Sequence, residues 1–176
     1  MPTTLSTKTI YKGRIFDVCV DTVREGESVY DREIIVHQGS AVVVPVFDDR
    51  TVGLVRQYRH PAGKYLLEIP AGRLEPGEDP KTAALRELEE EIGFAARKIE
   101  LLCEFYVSPG FLDEKMFLFL TTELTETAQN LDEDENIEIE RLSFPQAFDL
   151  IRGGDIEDAK TMVGLMLAGA RFGFSL

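Results

Sequence analysis

The chain contains no tryptophan, so any aromatic clamp for a ligand must come from its 11 phenylalanines and 5 tyrosines. It has two cysteines, Cys19 and Cys103, each in an apolar strand-like stretch and without the spacing of a metal or redox pair. Both read as reduced core thiols. No run of about eighteen apolar residues is present and no charged-then-apolar leader opens the chain, which predicts a soluble, cytoplasmic protein with no membrane partner. Positive charge is scarce: 19 Lys and Arg stand against 32 Asp and Glu, a formal net charge of -13. That balance argues against nucleic acid backbone as the main partner. A small anionic ligand stays compatible where bound metal reverses the local sign. Internal repeats and low-complexity linkers are also missing, and 176 residues fit one domain with a proper core and a small N-terminal extension.

What is present concentrates in the segment 72–94, GRLEPGEDPKTAALRELEEEIGF. Asp79 suits an N-cap, Pro80 the first helical position and Gly93 the left-handed residue after the last turn, so the spacing predicts a helix over 80–92. Neighbours three and four apart lie above one another on such a helix, which puts Glu87, Glu90 and Glu91 on one face without a lysine partner. Like charges at that spacing destabilise a helix by about 0.2–0.5 kcal/mol per pair, so something must offset the repulsion. A divalent cation is the obvious candidate. Ala84, Leu85, Leu88 and Ile92 form an apolar stripe that half-buries the helix at the rim of a core. The plainer alternative is a solvated acidic face with one pairing, Arg86 to Glu90.

Upstream, 65–70 (YLLEIP) reads as an apolar strand, and Gly72 and Pro76-Gly77 punctuate the loop before the helix. This unit matches the pattern G-x5-E-x7-R-E-U-x-E-E-x-G-U, with U apolar, at Gly72, Glu78, Arg86, Glu87, Leu88, Glu90, Glu91, Gly93 and Phe94. The pattern is the Nudix box, and the chain resembles the Nudix hydrolases, which cleave nucleoside diphosphates linked to another moiety with Mg2+ or a similar ion. The resemblance implies that Glu87 and Glu91 are the main metal ligands, with Glu90 close by and the carbonyl of Ala71 completing the site. It also implies that Arg86 and Glu78 hold the loop on the helix, which places Arg86 beside Glu87 in the catalytic set. Carboxylate and carbonyl oxygens suit a hard cation. Roughly two or three Mg2+ ions per site, or Mn2+ or Zn2+ in their place, would neutralise a pyrophosphate and acidify a water for in-line attack.

Elsewhere, Phe16, Val18 and Val20 alternate, an acidic turn falls at Glu25-Gly26-Glu27, and Ile34 to Val36 resume a strand, which reads as an antiparallel meander. Stretches 41–47 and 52–58, joined at Asp48-Asp49-Arg50, read as a hairpin. Strands at 99–107 and 115–123 flank a Ser108-Pro109-Gly110 turn. An acidic loop at 132–136 then leads to a short strand, a helix from about Pro145 and a longer helix over 156–172. The order predicts an α+β protein. The resemblance implies the Nudix fold, a mixed sheet sandwiched between helices, with an N-terminal antiparallel β extension over 1–39 and the hydrolase domain over 40–176.

The box reads no base, so substrate class must come from outside it. Pro109 lies sixteen residues beyond Gly93, a spacing that resembles the ADP-ribose pyrophosphatases of the family, although a turn proline is also an ordinary structural feature. Segments 55–61 (VRQYRHP) and 66–72 (LLEIPAG) are similar to the strand and loop that enter the box in the bacterial members. This implies that Gln57 and Arg59 face the phosphates and terminal ribose, a role suited to the directional fork of arginine. Glu68, a carboxylate inside an apolar strand, needs a partner, which Arg59 or the ribose could supply. His60 precedes a proline, has no identifiable partner and reads as structural.

In the resembling subfamily a glutamate from a loop after the box deprotonates the attacking water. Glu133 is the first choice and Glu135 the second, with a solvated acidic loop as the alternative. The N-terminal extension of that subfamily exchanges between two subunits of a homodimer and helps form the adenosine pocket. Here Ile15 or Phe16 would pack on adenine and Arg32 or Glu33 would hydrogen-bond its edge; an ordinary edge strand with solvent-facing charges is the alternative. The lack of tryptophan departs from the tryptophan pair of some animal relatives.

The activity so implied is metal-dependent hydrolysis of ADP-ribose to AMP and ribose 5-phosphate. GDP-mannose or another nucleoside diphosphate sugar is the rival substrate class. A nucleotide-sensing module that binds without cleaving is a rival of a different kind, although such modules usually lose box carboxylates or add a DNA-binding domain. RNA cap removal is disfavoured by the acidic balance.

Overall fold

The computed structural model describes residues 1–131 and 136–176. Three strands open the chain, β1 (Thr3–Lys12), β2 (Phe16–Glu25) and β3 (Ser28–His37), and form an antiparallel sheet of their own in that order. The Glu25 to Ser28 turn falls where the sequence places it, with Gly26 at φ 61°. β1 is a strand the sequence reading misses: TTLSTKTIYK lacks apolar alternation, and the strand is exposed along its whole length. It is held by its ladder to β2 rather than by burial.

The main body is built on β4 (Ser40–Pro45), buried at every position. A β-branched run covered on both faces reads without alternation, yet its side chains do divide. Val42 and Val44 enter one core while Ala41 and Val43 enter another. The remaining strands are β5 (Thr51–Arg59), β6 (Lys64–Glu68), β7 (Ala71–Arg73), β8 (Phe94–Tyr106), β9 (Lys115–Glu126) and β10 (Ile137–Ser143). They complete a four-stranded mixed sheet, β7-β4-β9-β8, in which β4 and β9 run parallel, and a three-stranded antiparallel sheet, β10-β5-β6.

The expected hairpin between β4 and β5 is therefore a corner between two sheets. Its turn exists, with Phe47 N–H donating to Thr51 O at 2.9 Å, but pairing stops at the single Val46–Val52 bridge. β4 and residues 52–55 of β5 are buried on both sides, and each strand finds its neighbours in a different sheet.

Helix α1 (Pro80–Glu87) covers the Ala41/Val43 face with Ala83, Ala84 and the Leu88 and Ile92 that follow it. Leu85, expected in that stripe, is only half-buried, and Ala83 takes its place. Helices α2 (Phe144–Gly153) and α3 (Ala159–Arg171) cover the opposite face through Phe144, Phe148, Leu165 and Ala168. α2 starts at a capping box in which Ser143 and Gln146 satisfy each other's backbone N–H. The result is the expected α+β arrangement of helices around mixed sheet. The N-terminal sheet is tied to this body at Ile35, whose N–H donates to Phe111 O at 2.7 Å and whose O accepts from Asp113 N–H at 3.1 Å, and the loop between β1 and β2 is tied to it where Arg73 donates to Arg14 O. Among the described residues no helix is long and apolar enough to cross a membrane.

Candidate active site

The carboxylate helix begins as its sequence requires. Asp79 is the N-cap and accepts from Thr82 N–H at 3.1 Å, and Pro80 occupies the first turn. It does not run as a regular helix to Ile92. After Glu87 the backbone widens into a π turn over Leu88–Ile92, closed by Gly93 in the left-handed region at φ 74°. Single π turns of this kind occur often at functional sites. The chain after β9 is docked on this turn: Asn130 N–H donates to Glu90 O at 3.0 Å, Gln129 Nε2 to Glu91 O at 2.8 Å, and Thr127 N–H to Gly93 O at 2.8 Å. Carbonyls at the end of the helix are thus satisfied by the segment that leads to residues 132–135.

The acidic face is neither solvated nor without counter-charge. Arg86 bonds Glu78 through Nε and Nη2, both at 3.2 Å, and its Nη1 reaches Glu87 Oε1 at 2.7 Å and Glu90 Oε2 at 2.9 Å. One guanidinium therefore offsets three carboxylates: Glu90 and Glu78, the partners expected from sequence, and Glu87 as well. Burial alone would lower the pKa of Arg86, but Glu78, Glu87 and Glu90 outweigh it and raise the pKa above the ordinary arginine value. The same contact with Arg86 holds Glu78 below the usual glutamate range. Glu78 also accepts from Glu75 N–H at 2.9 Å, which closes the Pro76-Gly77 loop onto the helix as expected.

Glu87 and Glu91 are buried, 8% and 3% exposed, and both lie against the Ala71-Gly72 backbone. Glu91 Oε2 accepts from Ala71 N–H at 3.2 Å. The Glu87 carboxylate occupies the space beside Gly72 so closely that a Cβ there would stand 1.8 Å from Oε1 and 2.4 Å from Oε2. This explains a glycine inside β7, where its pairing with Ala41 makes no unusual backbone demand. The role of Gly72 is the absent side chain.

Around this cradle is a cavity of about 480 Å³, walled by Gln57, Arg59, Ala71, Gly72, Glu87 and Glu90, and by Arg14 and Ile15 from the N-terminal extension. Arg73, Glu75, Arg86 and Asn130 complete it. Arg14, Arg73, Glu75 and Asn130 had no place in the sequence reading. Arg73 and Glu75 offered one signal, their position inside the box segment, at its loop.

Arg59 is fixed from behind. Its Nε and Nη2 donate to the two oxygens of Glu68 at 2.8 Å and 2.9 Å, so the partner that Glu68 needed is Arg59. Glu68 is 1% exposed and is not a wall of the cavity. It also receives Lys160, which in turn bonds Asp158 at 3.0 Å. Burial would raise the pKa of Glu68, but Arg59 and Lys160 together hold it below the ordinary value. The bond to Glu68 raises that of Arg59. Gln57 presents the opposite situation: its Oε1 is buried and has no hydrogen-bond partner among the described residues. A buried acceptor left unpaired costs about 1–3 kcal/mol, which a donor arriving in the cavity would recover.

The other N-terminal candidates do not reach this cavity within one chain. Phe16 packs against Tyr11 with centroids 6.3 Å apart, and Glu33 is exposed. Arg32 lies 4.5 Å over the Tyr30 ring and lines a separate groove with Tyr106, Pro109 and Phe111. His60 sits in an exposed 3-10 turn. Glu133 and Glu135 lie outside the described residues.

Among the described residues no three His, Cys, Asp or Glu side chains already converge on a metal position. The donors nevertheless fit a hard divalent cation. They are all oxygen, Glu87 and Glu91 are both buried against one short stretch of backbone, and Gly72 leaves the space that brings the first of them there.

Fold and site together define a hydrolase built on a glycine-cradled carboxylate helix, and the comparisons agree. The NUDIX domain model matches residues 36–163, and the chain belongs to the Nudix family of hydrolases. It is 40% identical over 161 residues to the ADP-ribose pyrophosphatase of Bacillus subtilis, a match covering 90% of this chain and 87% of that one. It is 39% identical to the methanol dehydrogenase activator of Bacillus methanolicus, covering 92% and 89%. A crystal structure of an ADP compounds hydrolase superposes with a TM-score of 0.83 at 26% identity, over 98% of this chain and 94% of that one.

Proposed function

We propose that this protein hydrolyses the pyrophosphate of ADP-ribose, with divalent metal bound, to AMP and ribose 5-phosphate. The observation that carries the reading is the Gly72 cradle: a buried glutamate seated where any other residue would place its side chain, in a cavity shared with a braced arginine. The similar B. subtilis enzyme supports ADP-ribose as the substrate. The B. methanolicus relative is named for activating another enzyme, but an intact set of box carboxylates favours hydrolysis here over binding alone.

In this reading Glu87, Glu91 and the Ala71 carbonyl hold the metal, with Glu90 beside them, and Arg86 keeps Glu87 and Glu90 in place. Bound divalent ions, Mg2+ foremost, supply charge neutralisation and an acidified water. Arg59 takes a phosphate oxygen with the part of its fork that Glu68 leaves over, and the Gln57 amide takes a ribose hydroxyl. Glu133 is the first choice for the group that removes the proton from water, and Glu135 the second.

The extension over 1–39 completes the adenosine side in a homodimer. Leu5, Ile10 and Val29 are exposed, as are Ile15 and Phe16, and apolar surface on a thin sheet calls for cover. A second copy would supply it and bring Ile15, Phe16, Arg32 and Glu33 to adenine. The test is a panel of ADP-ribose, GDP-mannose and other nucleoside diphosphate sugars with Mg2+, with products read by chromatography. AMP and ribose 5-phosphate should accumulate fastest from ADP-ribose. Cleavage of none, or preference for GDP-mannose, would overturn the assignment.

A further inference from the structure

We propose that Lys160 is a positioning residue for substrate binding: it takes a share of the Glu68 carboxylate and so keeps the Arg59 guanidinium available to the anionic diphosphate. The inference rests on Arg59 being a substrate contact, as in the proposed function. It concerns residues at the start of α3, which contribute nothing to the cavity wall.

The geometry is a chain of four charges. Arg59, a wall of the cavity, holds both oxygens of Glu68. Lys160 approaches Oε2 of the same carboxylate and is itself 8% exposed. Asp158 accepts from Lys160 at 3.0 Å and from Thr161 N–H at 2.9 Å, acting as the N-cap of α3. Thr161 Oγ1 accepts from Ile69 N–H at 2.9 Å, so the first turn of α3 is also bonded to the residue that follows β6. Lysine in the first turn of a helix opposes the macrodipole. Burial adds to that cost, and the Glu68 carboxylate is what makes the position tenable.

Without Lys160, the whole negative charge of Glu68 would fall on Arg59. The four charges sum to zero; without Lys160 they sum to minus one, directly behind the group that meets the diphosphate. A side chain that only fills space has no such consequence. Replacing Lys160 by methionine keeps length and volume and removes the charge. Its effect should appear in binding of anionic substrate and should run through Arg59.

The test compares Lys160→Met, Arg59→Ala and the double variant, with KM and kcat for ADP-ribose and the dissociation constant of ADP by calorimetry. Lys160→Met should raise KM and the ADP dissociation constant on the order of tenfold, with kcat changed by less than about twofold. Lys160→Arg should restore both constants, and in the Arg59→Ala background Lys160→Met should add nothing. An equal effect in that background, or a fall in kcat with KM unchanged, overturns the inference. Should Lys160→Met fail to fold, Asp158→Asn carries the test, since it keeps the cap and removes a negative charge. ADP should then bind at least as tightly as to the unaltered protein, and weaker binding overturns the inference. If ADP-ribose is not cleaved while the ADP constants shift as stated, the substrate assignment fails and the inference stands.

Discussion

Replacing Gly72 by alanine isolates the cradle from everything else in the site. The added Cβ would stand 1.8 Å from Glu87 Oε1, and ordinary contact begins at 3.4 Å, so the carboxylate must retreat by about 1.6 Å. It is the far end of a flexible side chain, and Gly72 has no positive φ, so the backbone need not move. The expense is an off-rotamer glutamate, about 0.5–1.5 kcal/mol, and a weakened bond to Arg86. Alanine recovers roughly 0.5–1 kcal/mol through the restricted unfolded chain. The net destabilisation should therefore be about 1 kcal/mol, or some 2–4 °C in Tm for a chain of this length. Catalysis should suffer far more, because displacing a reacting or metal-holding group by about 1 Å costs on the order of a hundredfold. Thermal unfolding and ADP-ribose turnover on the same preparation separate the two effects. Turnover within about twofold of the unaltered protein would refute the cradle as the site of the chemistry, and so would loss of the fold at 25 °C.

Arg86→Lys should lower stability in urea by about 2 kcal/mol, because one ammonium cannot reach Glu78, Glu87 and Glu90 together; an unchanged midpoint would contradict the bracing role. Glu68 has a folded pKa below its ordinary value of 4.5, so its contribution is complete above about 4.5 and disappears as pH falls through the lowered value. Unfolding free energy measured downward from pH 6 should fall more steeply in the unaltered protein than in Glu68→Gln, and parallel profiles would count against the buried pair. If the proposed homodimer forms through the extension, Leu5→Glu combined with Ile10→Glu, both at exposed positions of β1, should give a monomer by sedimentation where the unaltered protein sediments as a dimer, without lowering Tm by more than about 2 °C. An unchanged sedimentation coefficient would place the dimer contact elsewhere or remove it.

The sequence makes the loop and first turns of the carboxylate helix legible because their signals are local. Asp79 and Pro80 set the start, Gly93 sets the stop, and Gly72, Glu78 and Arg86 fall at the spacing that lets the loop fold back. The π turn is not legible, since Glu87 and Leu88 keep ordinary helical dihedrals and the widening answers to bonds from Gln129 and Asn130 far along the chain. Strand β1 escapes because it buries nothing, and the β4–β5 corner because strands buried on both faces carry no alternation to reveal their sheet. Lys160 was the readable omission. A lysine two residues after a capping aspartate, at the wrong end of a helix dipole, signals a buried carboxylate partner, and Glu68 was already waiting for one.

The most direct test of the account is the initial rate of AMP release from ADP-ribose as Mg2+ is titrated, for the unaltered protein beside Glu91→Gln. Glutamine keeps an oxygen to accept from Ala71 N–H, so the fold should survive while the negative charge of the proposed metal ligand is lost. The account predicts a saturable rise with Mg2+, no release in excess chelator, and a rate lower by about a hundredfold or more in the variant at equal Tm. Release that persists in chelator, or that proceeds at the same rate in Glu91→Gln, would contradict it.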